Sequence, residues 1–387
     1  MYSYFFEKEL DMLKNKNLYR TLKTIDSTNG IEFSINSKKY ISFSSNNYLG
    51  LANNEFLKSE SIKAIEKYGT GTGASRLISG NFKIHEELEK KIASFKDKEA
   101  SIVFSTGYMA NTGTISSIAD EDDAVIIDRL NHASIIDGCR LSKAKLFVYK
   151  HNDINSLEEI LKRCSGFKKR LIITDTVFSM DGDIASLPDI VKLAKKYNAI
   201  TMIDEAHALG VFGKSGRGVA EFFNVEDRID ISMGTLSKAV GSSGGYIAGS
   251  TALVNYLRNK ARSFIYTTSL PAGVIAGSIA GLDIIIKKPE LRKKLWKNVE
   301  YVRKGIQNLG LNTLNSASQI IPVIIGKEET TIKVAKLLFN KGLFVVAIRP
   351  PTVPKGTSRL RISITSIHTK EHLDILLENL KCIKEYL

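Results

Sequence analysis

Three residues combine side chains and positions suited to covalent and acid–base chemistry. Lys238 lies among small residues in TLSKAVGSSGG, after a strand-like run. A partly desolvated lysine loses its charge more easily and becomes a nucleophile toward an aldehyde. Asp204 ends the apolar run AITMID, at the end of a strand where α/β sheets bind ligands, although a helix N-cap also suits it. His207 could face the same crevice or be a hydrogen-bonded histidine at its rim.

Two further segments could complete a cofactor site. STGYMANTG follows the strand-like SIVFS and should open a helix, whose first amides could bind a phosphate closely at Gly107. His132 in DRLNHAS could stack on a flat ring or cap a loop. Pyridoxal phosphate (PLP) needs an amine, a carboxylate beside its ring nitrogen, a phosphate cradle and a stacking ring. The sequence therefore indicates a PLP site built from Lys238, Asp204, Gly107 with Tyr108, and His132.

The elements that must position these residues alternate along the middle of the chain. Strand-like runs are predicted at 101–105, 124–128, 145–149, 170–174, 200–204, 229–233 and 245–248. Their alternation with amphipathic stretches predicts an α/β domain with a largely parallel sheet. Ser156 and Glu159 have the spacing of a capping box. Gly273, Gly277 and Gly281 share one helix face, which indicates a buried helix packed tightly against a sheet.

The pattern changes near residue 285, where a Lys-rich helix (290–309) leads to QIIPVIIG, a second helix (329–341), FVVAIRP and RLRISIT. This order indicates a smaller α+β domain. We expect an N-terminal segment (1–45) that packs with the small domain, a large PLP-binding domain (46–285) and a C-terminal small domain (286–387).

Composition and charge limit the classes of protein to which the chain can belong. The chain has 387 residues, and 55 basic against 41 acidic residues leave a net charge of +14. That charge suits an anionic partner or only a solvated surface. Three cysteines without a CxxC favour a reducing compartment and exclude a disulfide scaffold, and we expect no metal. No signal peptide, membrane span or nucleic-acid-binding motif is seen, so a cytoplasmic protein is expected.

The sequence resembles the α-oxoamine synthases, fold-type I PLP enzymes, over nearly its whole length. The motifs that carry the resemblance are FSSNNYLGLA, GTGASRLISGN, STGYMAN, DRLNHAS, VFSMDGD, DEAHALGV, TLSKAVG and IYTTSLP. Asn47 stands where many relatives have Asp. The resemblance implies an aspartate aminotransferase-like fold. Within the family, AIRPPTVPKGTSRLRIS is most similar to the members that condense L-alanine with a pimeloyl thioester, of CoA or of acyl-carrier protein, in biotin synthesis.

The resemblance also implies roles for residues. Lys238 would bind the cofactor aldehyde and move the proton at Cα, Asp204 would pair with the ring nitrogen, and His132 would stack on the ring and touch substrate. Further cofactor contacts are implied for His207, Ser179, Gly107, Tyr108 and Thr235, and across a homodimer for Thr268 and Ser269. Substrate contacts are implied for Arg20, Asn46, Thr352 and Arg361, of which Arg361 would grip a carboxylate through a two-point fork.

Three alternatives remain at this point. Family members that join glycine to acetyl-CoA, and others that join serine to palmitoyl-CoA or make 5-aminolevulinate, share the same core residues. A plain aminotransferase would release a 2-oxo acid. A non-catalytic PLP-binding regulator that acts on DNA would need a DNA-reading module, and the residues before the family motifs show none.

Overall fold

The computed structural model describes residues 2–16 and 18–386. Its helices are α1 (Tyr2–Asn15), α2 (Glu55–Tyr68), α3 (Lys83–Phe95), α4 (Gly107–Ile118), α5 (Ala133–Ser142), α6 (Ile154–Arg163), α7 (Leu187–Lys196), α8 (Val219–Phe222), α9 (Thr251–Lys260), α10 (Arg262–Ile265), α11 (Ala272–Lys287), α12 (Pro289–Asn308), α13 (Glu328–Asn340) and α14 (Lys370–Lys381). Its strands are β1 (Ser27–Thr28), β2 (Glu32–Ile35), β3 (Lys38–Ser42), β4 (Ala100–Phe104), β5 (Ala124–Asp128), β6 (Lys145–Tyr149), β7 (Arg170–Asp175), β8 (Ile200–Asp204), β9 (Ile231–Thr235), β10 (Gly245–Gly249), β11 (Ile320–Gly326), β12 (Leu343–Phe344), β13 (Val346–Ile348) and β14 (Ser358–Ser363). Within the described residues, we find no helix whose length and apolar character would let it cross a membrane.

The larger of two compact units consists of Asn47–Ser179 and Asp183–Lys293. It contains a seven-stranded sheet in the order β4-β10-β9-β8-β7-β5-β6. The pairs from β9 to β6 are parallel, whereas β10 runs antiparallel to both of its neighbours. The prediction of an α/β fold with a mostly parallel sheet is therefore confirmed.

The central strands are apolar throughout because helices cover both faces of this sheet. In β5, Val125 and Ile127 join a core that includes residues of α4, α5 and α9. Ala124 and Ile126 join a second core with residues of α6 and α7. Successive side chains of a strand point to opposite faces, so one apolar run supplies both cores. Because a packed core lies on each face of the sheet, the positions of the strand ends are fixed.

The glycine face of α11 packs differently from the prediction. The helix is buried, but a Cβ at Gly273 would lie 2.8 Å from Cγ1 of Ile65 in α2, and one at Gly281 would lie 2.2 Å from the carbonyl oxygen of Val240. The expected contact with a sheet was therefore wrong. The small residues instead allow close approach to another helix and to the turn that follows Lys238.

The start of α6 also corrects the sequence analysis. The N-cap is Asp153, whose side chain accepts a hydrogen bond from the Ser156 amide at 2.9 Å. Ser156 and Glu159 both lie inside the helix, so the predicted capping box was wrong. Asp is as good an N-cap as Ser, and here it lies three residues earlier.

The smaller unit consists of Met1–Asn46, Met180–Gly182 and Lys294–Leu387. It contains an antiparallel sheet in the order β11-β14-β13 and a four-stranded sheet in the order β1-β2-β3-β12. In the first sheet, Val346 of β13 is paired with Arg361 of β14. This pairing fixes the main chain on which Arg361 is carried.

Candidate active site

The carboxyl ends of three adjacent strands of the larger unit carry polar residues. Asp175 ends β7, Asp204 ends β8 and Thr235 ends β9. Asp175 and Asp204 are direct register partners, and all three side chains are buried. Because parallel strands end at one edge of a sheet, the fold gathers these groups where α/β proteins bind ligands.

The carboxylate of Asp204 is held by two donors. Its Oδ2 accepts a hydrogen bond from Nδ2 of Asn111 in α4 at 2.8 Å, and its Oδ1 accepts one from the amide of Ala206 at 2.8 Å. Asn111 Nδ2 also lies 2.9 Å from Oγ of Ser134. These contacts fix the orientation of a buried acid, which is the requirement for a fixed charge beside a ligand.

Asp175 is the second acid of this edge. Its Oδ2 accepts hydrogen bonds from Asn131 Nδ2 and from the amide of His132, each at 2.9 Å. Burial raises the pKa of Asp175 well above its usual range, and the negative charge of Asp204 raises it further. Through its two hydrogen bonds, Asp175 positions the loop that carries His132.

Lys238 lies in the turn between β9 and β10. Its Nζ is 2.8 Å from Nε2 of His207, and Nδ1 of His207 is 2.6 Å from the hydroxyl of Tyr48. If Lys238 is an ammonium group, it donates a hydrogen bond to Nε2, and Nδ1 of a neutral His207 ring then carries the hydrogen that points at Tyr48. The three side chains thus form one hydrogen-bonded series that ends on the amine.

His132 caps α5. Its Nδ1 accepts a hydrogen bond from the amide of Ser134 at 3.3 Å, so the side chain caps a helix, where the sequence suggested a loop cap. Burial lowers the pKa of His132, with an opposing effect from the charge of Asp204 and a further lowering by that of Lys238. The ring is therefore favoured in its neutral form close to both charges, and its stacking on a cofactor stays a prediction.

The start of α4 lies against β9 and β10. A Cβ at Gly107 would lie 3.1 Å from Cε of Met233 and 3.4 Å from Oγ1 of Thr235, and a Cβ at Gly245 would lie 2.5 Å from Cα of Gly107. The Thr106 side chain caps the helix by accepting a hydrogen bond from the amide of Met109. A side chain at either glycine would close this space, and the first amides of a helix suit a phosphate.

These groups fit PLP. The amine of Lys238 suits its aldehyde, the buried carboxylate of Asp204 suits its ring nitrogen, and the cradle at Gly107 suits its phosphate.

The structure also shows the surroundings of four further predicted cofactor residues. Tyr108 is exposed and its hydroxyl donates to Asp137, and Ser179 is half-buried. Thr268 forms a β-bridge with Ser75, and the hydroxyl of buried Ser269 donates to the carbonyl of Gly80 at 2.7 Å. Their cofactor roles stay predictions.

The smaller unit brings together two of the predicted substrate residues. Arg361 is buried, and its Nη2 donates to Oδ1 of Asn46 at 3.2 Å while its Nη1 donates to Oγ of Ser363 at 2.9 Å. Arg20 and Thr352 are exposed in the same unit. Substrate contacts of all four residues stay predictions.

The residues that hold the predicted catalytic side chains were not identified from the sequence, and they include Asn111, Ser134, Asn131, Asp175 and Tyr48. Asp175 carried a usable signal, since it ends the apolar run RLIITD in the same way as Asp204 ends AITMID. Asn111 and Tyr48 lie within the quoted motifs STGYMAN and FSSNNYLGLA, but nothing in their local sequence names their partners.

Comparison with known proteins places the chain in a family. Residues 38–380 match the family of class I and II aminotransferases. The chain is 49% identical over 375 residues to an 8-amino-7-oxononanoate synthase of Thermoanaerobacter pseudethanolicus, covering 97% of this chain and 95% of the relative. It is also 49% identical over 378 residues to the enzyme of that name from Lysinibacillus sphaericus, covering 98% and 97%.

Solved structures of α-oxoamine synthases match the fold of this chain. A serine palmitoyltransferase from S. paucimobilis with a bound PLP–myriocin aldimine matches with a TM-score of 0.93 at 33% identity, covering 98% of this chain and 96% of that one. An 8-amino-7-oxononanoate synthase from Francisella tularensis matches with a TM-score of 0.79 at 29% identity, covering 90% and 98%. The chain therefore belongs to the class I and II aminotransferase family and, within it, to the α-oxoamine synthases of fold type I.

Proposed function

We propose that this chain is a PLP-dependent C-acyltransferase of biotin synthesis. It condenses L-alanine with a pimeloyl thioester and releases 8-amino-7-oxononanoate, carbon dioxide and the free thiol. The bond that forms joins Cα of alanine to the thioester carbonyl carbon, and the bonds that break are the C–S bond and the bond from Cα to the alanine carboxylate. The relatives with 49% identity over nearly the whole chain support this choice among α-oxoamine synthases.

The arrangement at the strand ends supports the chemistry. PLP, when bound, draws electrons from Cα of the amino acid and so stabilises a negative charge there. Asp204 is placed to keep a positively charged ring nitrogen paired, because its carboxylate is buried and held in orientation by Asn111. Lys238 is the amine that binds the aldehyde and then takes and returns the proton at Cα. Positioned proton transfer of this kind contributes about 10²–10⁴-fold.

Two histidines prepare groups for these steps. His207 holds the Nζ atom of Lys238 at 2.8 Å, which directs the amine and gives a proton a place to go. His132, whose pKa burial lowers, offers a flat face for the ring and for substrate.

Arg361 is the proposed carboxylate ligand. Its guanidinium is buried in β14 and oriented by Asn46 and Ser363. A planar fork of donors pairs with both oxygens of a carboxylate, and Lys cannot reproduce that geometry. We extend substrate contact to Arg20 and Thr352 on the resemblance alone.

We further propose that the enzyme works as a homodimer in the cytoplasm. Thr268 and Ser269 would then reach the phosphate of the other subunit's cofactor. The three cysteines are free thiols, two of them buried, which suits a reducing compartment.

The observation that carries the proposal is the buried Asp204 carboxylate beside an amine-bearing turn at the ends of neighbouring strands. The test is release of free thiol, followed in parallel with alanine plus pimeloyl-CoA, alanine plus pimeloyl-carrier protein, glycine plus acetyl-CoA, and serine plus palmitoyl-CoA. We expect thiol and 8-amino-7-oxononanoate from alanine with a pimeloyl thioester. Turnover confined to glycine or serine would overturn the substrate, and a 2-oxo acid product would indicate an aminotransferase.

A matched variant separates the effect of the Asp204 charge on activity from any effect of the side chain on folding. Asp204→Asn keeps the shape and removes the charge, and its amide nitrogen replaces one of the two oxygens that accept hydrogen bonds from Asn111 and Ala206. We expect thiol release to fall on the order of 10²-fold or more while PLP still binds.

A further inference from the structure

A cluster of charged side chains at the sheet edge that carries Asp175 and Asp204 has no part in the proposed mechanism. Its centre is His151, in the turn after β6. The Nδ1 atom of His151 is 2.9 Å from Oδ1 of Asp128, and its Nε2 atom is 2.9 Å from Oδ2 of Asp183. Asp128 ends β5, which pairs in parallel with β7 and therefore ends at the same edge. One imidazole ring thus joins two buried acids that are far apart in the chain.

The ring of His151 is a charged link. Both of its nitrogens face carboxylates, which only accept hydrogen bonds, so both nitrogens donate and the ring is an imidazolium. Burial alone would lower the pKa of His151, but the hydrogen bonds to Asp128 and Asp183 raise it to about 10. The ring also packs edge-on against Phe178, with 4.5 Å between the centroids. These three contacts hold the imidazolium in one orientation.

Asp183 belongs to a short hairpin that also carries Ser179. The hairpin has two arms, 176–179 and 183–185, and we name it the Ser179 hairpin. An antiparallel β-bridge joins the arms, and the amide of Phe178 donates to the carbonyl of Asp183 at 3.1 Å. Because Phe178 directly precedes Ser179, the position of Asp183 determines where the Ser179 side chain begins.

The two acids differ in what else holds them. Oδ1 of Asp128 also accepts a hydrogen bond from the amide of Leu130, and its Oδ2 accepts one from the amide of Asn152, each at 2.8 Å. Oδ1 of Asp183 is buried and has no hydrogen-bond partner among the residues that the structure describes. A buried carboxylate that loses its cation is strongly destabilising. Loss of His151 should therefore displace Asp183 and leave Asp128 in place.

We propose that His151 is a positioning residue for the acyl transfer, which holds the Ser179 hairpin through Asp183 and so presents Ser179 to the cofactor. This inference rests on the proposed function, in which Ser179 contacts PLP. His151 acts through Ser179 and not through His132, because main-chain amides hold Asp128, the residue that leads into the His132 segment.

The test is a double-mutant cycle on PLP affinity, measured by fluorescence titration of the full-length protein, so it does not depend on turnover. We expect His151→Gln and Ser179→Ala each to raise the Kd for PLP about fivefold. Because both changes remove the same contact, the double variant should bind PLP no more weakly than Ser179→Ala alone. Tyr197→Phe is the control, since it removes a 2.9 Å hydrogen bond to Glu158 and packs on the core that contains Phe178. It should change the Kd less than about twofold.

The charge of Asp183 provides a second arm of the test. An asparagine at position 183 needs no cation and can still pair with a glutamine at position 151. We therefore expect Asp183→Asn, added to His151→Gln, to return the Kd for PLP to within about twofold of the wild type. Asp128→Asn is the matched comparison, because its carboxylate keeps two amide donors without His151. It should not restore PLP affinity in His151→Gln.

A third variant covers the case in which His151→Gln does not fold. Asp183→Ala cuts the same link but leaves no unpaired carboxylate at position 183. It should raise the Kd for PLP about fivefold and should also be non-additive with Ser179→Ala.

Three results would overturn the proposal. The first is an unchanged Kd for PLP in the folded His151→Gln or Asp183→Ala variant. The second is a loss that adds to that of Ser179→Ala, which would show that His151 only stabilises the larger unit. The third is equal rescue by Asp128→Asn, which would place the effect on the other acid. Wild-type protein that binds PLP but releases no thiol would instead contradict the proposed function, and the cycle, which measures binding alone, would still decide the role of His151.

Discussion

The Nζ atom of Lys238 lies 2.8 Å from Nε2 of His207, although 31 residues separate them in the chain. His207 follows the strand end at Asp204, so one short segment supplies both the acid and the group that holds the amine. The position of the amine therefore depends on β8 as well as on its own turn.

Tyr48→Phe should disturb the amine through His207. The substitution removes the hydroxyl 2.6 Å from Nδ1 of His207 and leaves a buried ring nitrogen without that partner. We expect kcat/KM to fall about tenfold and the pH dependence of kcat/KM to move. Tyr256→Phe is the control, since Tyr256 is exposed and donates to the carbonyl of Ser117. An unchanged pH profile in Tyr48→Phe would contradict the positioning role.

Asn111→Ala should loosen the cofactor without unfolding the protein. It removes the 2.8 Å hydrogen bond to the buried Asp204 carboxylate, a loss of about 1–3 kcal/mol. We expect the Kd for PLP to rise at least fivefold, as measured by fluorescence titration. The exposed Asn259→Ala serves as control. Equal PLP affinity in both variants would show that Asp204 needs no such support.

Lys96→Met should destabilise the larger unit strongly. Lys96 and Glu205 form an ion pair in which the side chains are 3% and 0% exposed. Glu205 directly follows Asp204 in the sequence. Removal of one partner leaves a buried charge, at a cost of about 3–5 kcal/mol. Urea unfolding should show this loss, and addition of Glu205→Gln should restore most of it. A double variant no more stable than Lys96→Met would refute the charge explanation.

His151 should make stability depend on pH in the alkaline range. Burial alone would lower the pKa of His151, but hydrogen bonds to Asp128 and Asp183 outweigh it and raise the pKa to about 10 from its ordinary 6.5. The stabilisation is complete below pH 6.5 and is lost as the pH rises toward 10. Urea midpoints should therefore fall more steeply from pH 7 to 10 in the wild type than in His151→Gln. Parallel curves would exclude this contribution.

Much of the site follows from local sequence because the fold is regular. Asp204, Thr235 and Lys238 stand at or just after the ends of successive apolar strands, and such ends meet at one sheet edge. The type of each residue then limits its chemistry.

The partners of those residues do not follow from local sequence. Asn111 meets Asp204 only because α4 packs on the sheet, 93 residues away along the chain. The glycine spacing in α11 predicted close packing but could not identify the neighbours, which are α2 and the turn after Lys238. The cap of α6 was misplaced because Asp153 and Ser156 are both competent caps and only the observed hydrogen bond decides.

The most direct test of the account is reduction of the PLP-loaded protein with borohydride, followed by peptide mass spectrometry. The reductant fixes the aldehyde carbon to whichever amine holds it. We predict a pyridoxyl group on Lys238, and none anywhere in Lys238→Ala, which should also release thiol negligibly. A pyridoxyl group on another lysine of the wild type, or full activity of Lys238→Ala, would contradict the account.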